Sequence, residues 1–187
     1  MEAKKSFTKK IHLTFDDGPT PGITDRVLTL LDEFDAKATF FCLGKNVLAN
    51  QELFNAIIEK GHTVGNHSYS HLNGWKTKKK EYLEDVIKAN EIIKSQFFRP
   101  PYGKISLSQW FSLRRRKYRI ILWTRLSRDY DKTRSVEYIL KRIKKASHAG
   151  AVIVFHDSEK SWPVLQKVLP EYLEYLKQND FKCLAIV

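Results

Sequence analysis

Two carboxylates stand side by side where an apolar run ends. Ile11–Phe15 (IHLTF) leads straight into Asp16 and Asp17, and Gly18 and Pro19 follow. Adjacent carboxylates repel, so each needs a positive partner or a task. Two histidines, His67 and His71, lie four residues apart in the stretch NHSYSH. On a helix or in a tight turn this spacing faces both imidazoles the same way, as in zinc sites where two histidines share a turn. A carboxylate then completes a three-ligand site with one position open for water, and either Asp16 or Asp17 can supply it. The other aspartate is left to take a proton as general base. Further polar and titratable residues follow other apolar runs: Arg99 in RPPYG, Asp129 in SRDYD, and the pair His156–Asp157.

Residues spaced so far apart need a scaffold that gathers them at one end. Apolar strand candidates are Ile11–Phe15, Ala38–Leu43, His62–Gly65, Phe97–Phe98, Tyr118–Trp123, Ala151–Phe155 and Phe181–Val187. Helical patterns lie between them. Ile23–Phe34 places Val27, Leu30, Leu31 and Phe34 on one face, and Leu53–Lys60 stops at Gly61. Glu81–Ser95 turns Leu83, Val86, Ile87 and Ile93 towards a core. Ser135–Ser147 and Val164–Gln178 follow, the last with Pro170 inside it, which predicts a kink or a split. Strand–helix alternation along the chain argues for parallel strands covered by helices, in a barrel or a doubly wound sheet, and seven strand candidates favour a small, irregular barrel. In such folds the working residues sit at the carboxyl ends of the strands, where the polar groups recur here.

The 187 residues, 42% hydrophobic and 29% charged, make one folded domain, residues 1–187 with a core from about 11. No apolar run nears the roughly 18 residues of a membrane helix, and MEAKKSFTKK lacks the apolar stretch of a signal peptide. No glycine-rich dinucleotide fingerprint or phosphate-binding loop follows a strand, which disfavours nucleotide chemistry. The net charge is +12, with clusters at Lys76–Lys80 and Arg114–Lys117. These are expected to be solvated helix ends; an anionic wall polymer or a nucleic acid are the other partners such charge suits, and no nucleic-acid motif accompanies them. Cys42 and Cys183 sit in apolar runs and are expected to be buried free thiols.

TFDDGP, His67-Ser-Tyr-Ser-His71, Arg99-Pro-Pro-Tyr102, Asp129-Tyr130 and Val154-Phe-His156 together resemble, in order and spacing, the polysaccharide deacetylase family, also called carbohydrate esterase family 4 or the NodB homology domain. The resemblance runs from about Ile11 to Val187. It implies an α/β fold, an irregular (β/α)7 TIM-like barrel in a single domain. It implies Asp16 as catalytic base, and Asp17, His67 and His71 as ligands of a divalent metal, usually zinc, with another ion such as cobalt in some members. Arg99 would orient the base, with Asp129 as its charge partner, and His156 would protonate the leaving amine. The Tyr102 N–H would face the oxyanion, beside Pro100, while Val154 and Tyr130 would line the acetyl side. One departure stands out: the family's Asp-x-x-Asp-Trp is Leu126-Ser-Arg-Asp129-Tyr130 here, which leaves the acetyl-side wall open to change.

The activity implied is removal of N-acetyl groups from an N-acetylhexosamine glycan, peptidoglycan first and chitooligosaccharide next, by a monomer. O-acetyl ester hydrolysis on xylan-type polymers and a non-catalytic glycan-binding module are the alternatives. The family works mostly outside the cytoplasm, so an export segment is expected to be trimmed or absent here.

Overall fold

The computed structural model describes residues 9–187; the basic start read from the sequence lies largely outside them. Among the described residues, strands and helices alternate in this order: β1 (Lys9–Asp16), α1 (Thr24–Glu33), β2 (Ala38–Cys42), α2 (Gly44–Ala49), α3 (Gln51–Glu59), β3 (Thr63–Asn66), α4 (Lys79–Ile93), β4 (Phe97–Phe98), α5 (Leu107–Arg115), β5 (Arg119–Ile120), β6 (Arg125–Leu126), α6 (Val136–Lys145), β7 (Val152–His156), α7 (Trp162–Gln178) and β8 (Phe181–Cys183). Every strand pairing is parallel, as helical crossovers require. The order across the sheet is β5-β4-β3-β2-β1-β7-β6, with β8 on the start of β1. The sheet curls into a half-barrel.

One face of the central strands joins the hydrophobic core through Ile11, Leu13 and Phe15 of β1, Ala38, Phe40 and Cys42 of β2, and Ile153 and Phe155 of β7; the other face carries buried polar residues, Thr14 and Asp16 of β1 and Thr39 of β2. Phe15 stacks between Phe40 and Phe155, at centroid distances of 5.0 and 5.8 Å. Helix α1 buries Val27, Leu28 and Leu31, and α6 buries Ile139, Leu140 and Ile143. In α4, Leu83, Val86 and Ile93 face inwards as expected, but Ile87 is exposed; Tyr82 and Ala89 complete that stripe instead. Pro170 does not split α7, whose one face, from Leu165 to Leu176, is held against the core on both sides of the proline. The basic clusters are exposed, at the start of α4 and the end of α5, and Cys42 and Cys183 are buried and free.

The expected fifth strand, Tyr118–Trp123, is not one strand. The chain pairs with β4 through Arg119 and Ile120, then with β7 through Arg125 and Leu126. Ile121 N–H still donates to Phe98, and Thr124 N–H already donates to Val152. Between them the chain passes from one edge of the sheet to the other. This crossing, rather than lateral strand pairing, bridges the open side of the half-barrel.

Candidate active site

The residues singled out in the sequence converge on the carboxyl ends of the strands. Asp16 ends β1, His67 follows β3, Arg99 follows β4, Asp129 follows β6 and His156 ends β7. A cavity of about 500 Å³ opens there, lined by Asp16, Asp17, His67, His71, Pro100, Tyr102, Trp123, Leu126, Tyr130 and His156 among others. Asp16 and His156 are register partners on adjacent strands.

The paired aspartates separate because the backbone turns between them. Asp17 has φ 82°, a left-handed conformation, and its carbonyl accepts from Asn46 Nδ2 at 2.7 Å. Gly18 N–H donates to Asp157 Oδ1 at 3.1 Å. A Cβ on Gly18 would lie 2.0 Å from Asp157 Oδ2, so the turn needs glycine. Asp157 is fully buried and shares a 2.5 Å hydrogen bond with Thr24; burial pushes its carboxyl up to about 8. The sequence showed Asp157 only as a polar residue after a strand; its part in holding the Gly18 turn needed the fold.

Asp16 is nearly buried and pairs with Arg99, whose Nη1 donates to Asp16 Oδ1 and to Thr14 Oγ1, both at 2.7 Å. The rest of the guanidinium serves the backbone: Nε donates to the Ile121 carbonyl at 3.2 Å and Nη2 to the Leu122 carbonyl at 3.3 Å. These carbonyls belong to the crossing segment, which has no strand partner there to donate to them. Arg99 also lies 4.0 Å from the Phe41 ring.

The resemblance implied Asp129 as the charge partner of Arg99, but the two do not pair. Asp129 grips His156 twice: Oδ2 accepts from the His156 backbone N–H at 2.7 Å, and Oδ1 accepts from Nδ1 at 2.8 Å. Burial alone would lower the His156 pKa, but the charge and hydrogen bond of Asp129, with Asp16 and Asp17 beyond, raise it to about 9. Its Nε2 then carries a proton at neutral pH. Tyr130 meets the imidazole edge-on, with ring centroids 5.0 Å apart.

His67 and His71 are set by a turn, not a helix, with Ser68 and His71 both at positive φ. Asn66 Oδ1 accepts from Ser68 N–H, Ser68 Oγ from His71 N–H, and Asp85 on α4 from Tyr69 and Ser70. None of these supports was singled out from the sequence; the contact from Asp85 has no local signal. The Arg99 carbonyl lies 2.8 Å from His67 Nδ1 and can only accept, so Nδ1 holds the proton and Nε2 presents its lone pair. Burial first, and neighbouring His67, lower His71 to about 4, so it is neutral.

The Nε2 atoms of His67 and His71 lie 3.7 and 3.3 Å from Asp17 Oδ1, and the three groups' ligand atoms fall within 4.8 Å of one another. Asp17 Oδ1 is buried without a hydrogen-bond donor. A buried carboxylate oxygen facing imidazole lone pairs is destabilised unless a cation joins them, so these residues fit a metal ion.

Tyr102 is at φ 59°, and its hydroxyl is 3.1 Å from His71 Nδ1. Val154 is not on the cavity wall. It lies on the same face of β7 as His156 but one pleat deeper, fully buried, and its register partner Leu126 lines the cavity instead.

Comparison with known proteins bears on the family and the fold. A family model described as polysaccharide deacetylase matches residues 3–121. Two proteins of Bacillus cereus, each named peptidoglycan-N-acetylglucosamine deacetylase, are 34% and 31% identical to this chain. The alignments cover 87% and 95% of this chain, and 62% and 86% of those proteins. The chain thus spans less than two thirds of the first of these relatives. The solved structure of peptidoglycan deacetylase PdaC from Bacillus subtilis superposes with a TM-score of 0.86 at 29% identity, covering 96% of this chain and 89% of that one.

Proposed function

Because the chain belongs to the polysaccharide deacetylase family, we propose that it hydrolyses the N-acetyl group of an N-acetylhexosamine in a glycan, releasing acetate and leaving the free amine. Peptidoglycan is the proposed polymer; the names of its Bacillus relatives support it. The single sheet and its helices support one catalytic domain. A wall polymer as substrate supports action outside the cytoplasm, and no helix of the described residues is long and apolar enough to cross a membrane.

The observation that carries this reading is the pairing of Asp16 with His156. They are register partners on adjacent strands, each with its own charged partner, beside a three-ligand cluster. We assign to Asp17, His67 and His71 the holding of a divalent ion, zinc by the donor set, with cobalt suited to the same donors. When bound, that ion supplies the Lewis acidity that lowers the pKa of water and polarises an acetyl oxygen. Asp16, aimed by Arg99, takes the proton of the attacking water. The Tyr102 N–H, on its left-handed backbone, is the proposed donor to the oxyanion. His156 Nε2 delivers its proton to the nitrogen, because an amine leaves only when protonated. Asp129 stabilises the charged imidazole and fixes its ring.

Acetate release from N-acetylglucosamine oligomers and from acetylated xylan tests this directly, with and without a chelator. Release from the oligomers, lost on chelation and restored by zinc, is expected. Release from xylan alone would make the protein an O-acetyl esterase, and glycan binding without release at any metal content would make it a binding module.

A further inference from the structure

Three lysines surround the cleft, Lys45 in the first turn of α2 and Lys104 and Lys160 in two loops. Lys104 and Lys160 line the catalytic cavity. Lys45 and Lys160 line a groove of about 470 Å³ that continues from it past Asp17 and His71. Two of the three are held by aromatic faces. Lys104 Nζ lies 5.2 Å from the Trp75 ring centre, and the Trp75 indole N–H donates to the Ile105 carbonyl at 3.2 Å. Lys160 Nζ lies 5.2 Å from the Tyr130 ring centre. A cation parked on a ring keeps its charge and loses less side-chain freedom on meeting a ligand.

Among the described residues, none of the three forms an ion pair. The carboxylates inside the cleft do not claim them: Asp16 pairs with Arg99, Asp129 pairs with His156, and Asp17 faces the histidines. Glu159 shares the groove with Lys45 and Lys160, so the rim keeps a net of two positive charges. We infer that this rim selects an anionic glycan, taking a carboxylate carried by a sugar next to the acetylated one. The inference rests on the deacetylase reading above.

The test compares acetate release from two soluble tetrasaccharides built on N-acetylglucosamine, one neutral and one carrying a lactyl-ether carboxylate on alternate sugars. At low salt, kcat/KM for the acidic substrate should be about tenfold higher, and the two should converge as salt screens the rim. The triple variant Lys45→Gln, Lys104→Gln, Lys160→Gln should bring the ratio near one, while Lys→Arg at the same positions should keep it. A second triple variant, Lys94→Gln, Lys141→Gln, Lys145→Gln, changes the net charge equally at exposed positions outside the cleft and should also keep the ratio. Equal rates on both substrates, or a preference that survives loss of the rim lysines, overturn the inference. No acetate from either substrate overturns the deacetylase reading instead.

Discussion

Each titratable residue of the cleft is defined by its partner. Asp16 has an arginine and His156 has an aspartate, so substitutions of the partners test the assignments separately. Asp16→Asn should leave the metal content intact while lowering kcat by about 10²–10⁴-fold, the range of a lost general base. His67→Ala should lower metal content itself, measured on the purified protein. Turnover near wild type in Asp16→Asn would remove Asp16 as base. His156, raised to about 9, keeps its proton through neutrality, so loss of this acid should lower the rate as pH rises through that region. Asp129→Asn removes the charge that raises it, and the alkaline limb of the pH–rate profile should move to lower pH; an unmoved limb would detach His156 from the acid role. The positions of Asp16, Asp17, His67, His71 and His156 were legible because they sit in short local motifs. The partner of Asp129 was not, since nothing in the sequence tells which of two cations a loop carboxylate meets. Val154 was misplaced for a related reason: strand alternation gives its face but not its depth beneath the cavity.

Elements were legible where periodicity was strong. Helices α1, α3, α4, α6 and α7 lie within a few residues of their predicted ranges. Helix α2 was missed because six residues carry too little pattern, and α5 because its Leu107 and Phe111 point to solvent and blur the apolar stripe. The start of β3 carries a pH dependence of its own. His62, just before Thr63, is buried, and its Nδ1 accepts from the Ala38 N–H at 3.2 Å, at the head of β2. Burial first, then Lys37, lower its pKa to about 4. The folded pKa is depressed below the ordinary 6.5, so this contribution to stability is complete above 6.5 and is lost as pH falls through about 4. The melting temperature should therefore drop between pH 7 and pH 4.5. His62→Gln, neutral throughout, should flatten that slope, and an unchanged slope would move the effect to other groups.

At the scale of the molecule, the alternation of elements gave the parallel α/β architecture, and the rule that sites gather at strand ends gave the location of the cleft. The manner of closure was not legible, because Tyr118–Trp123 reads as one apolar strand whether it pairs along its length or crosses between edges. That crossing ties the proposed chemistry to a thinly paired part of the sheet. It is fixed by two registered pairs on each side, against five between β1 and β7, and Arg99 supplies hydrogen bonds to its carbonyls. Regions with few backbone pairings open at lower free energy than the whole. Once this seam loosens, Arg99 loses its footing and Asp16 its orientation while the central strands still hold. Heating should thus extinguish turnover, reversibly on cooling, several degrees below the transition seen by far-ultraviolet circular dichroism, and coincidence of the two curves would show the seam to be as firm as the core. On this account the enzyme's working ceiling is set by one arginine at a join, so engineering for heat tolerance belongs at the crossing rather than in the hydrophobic interior.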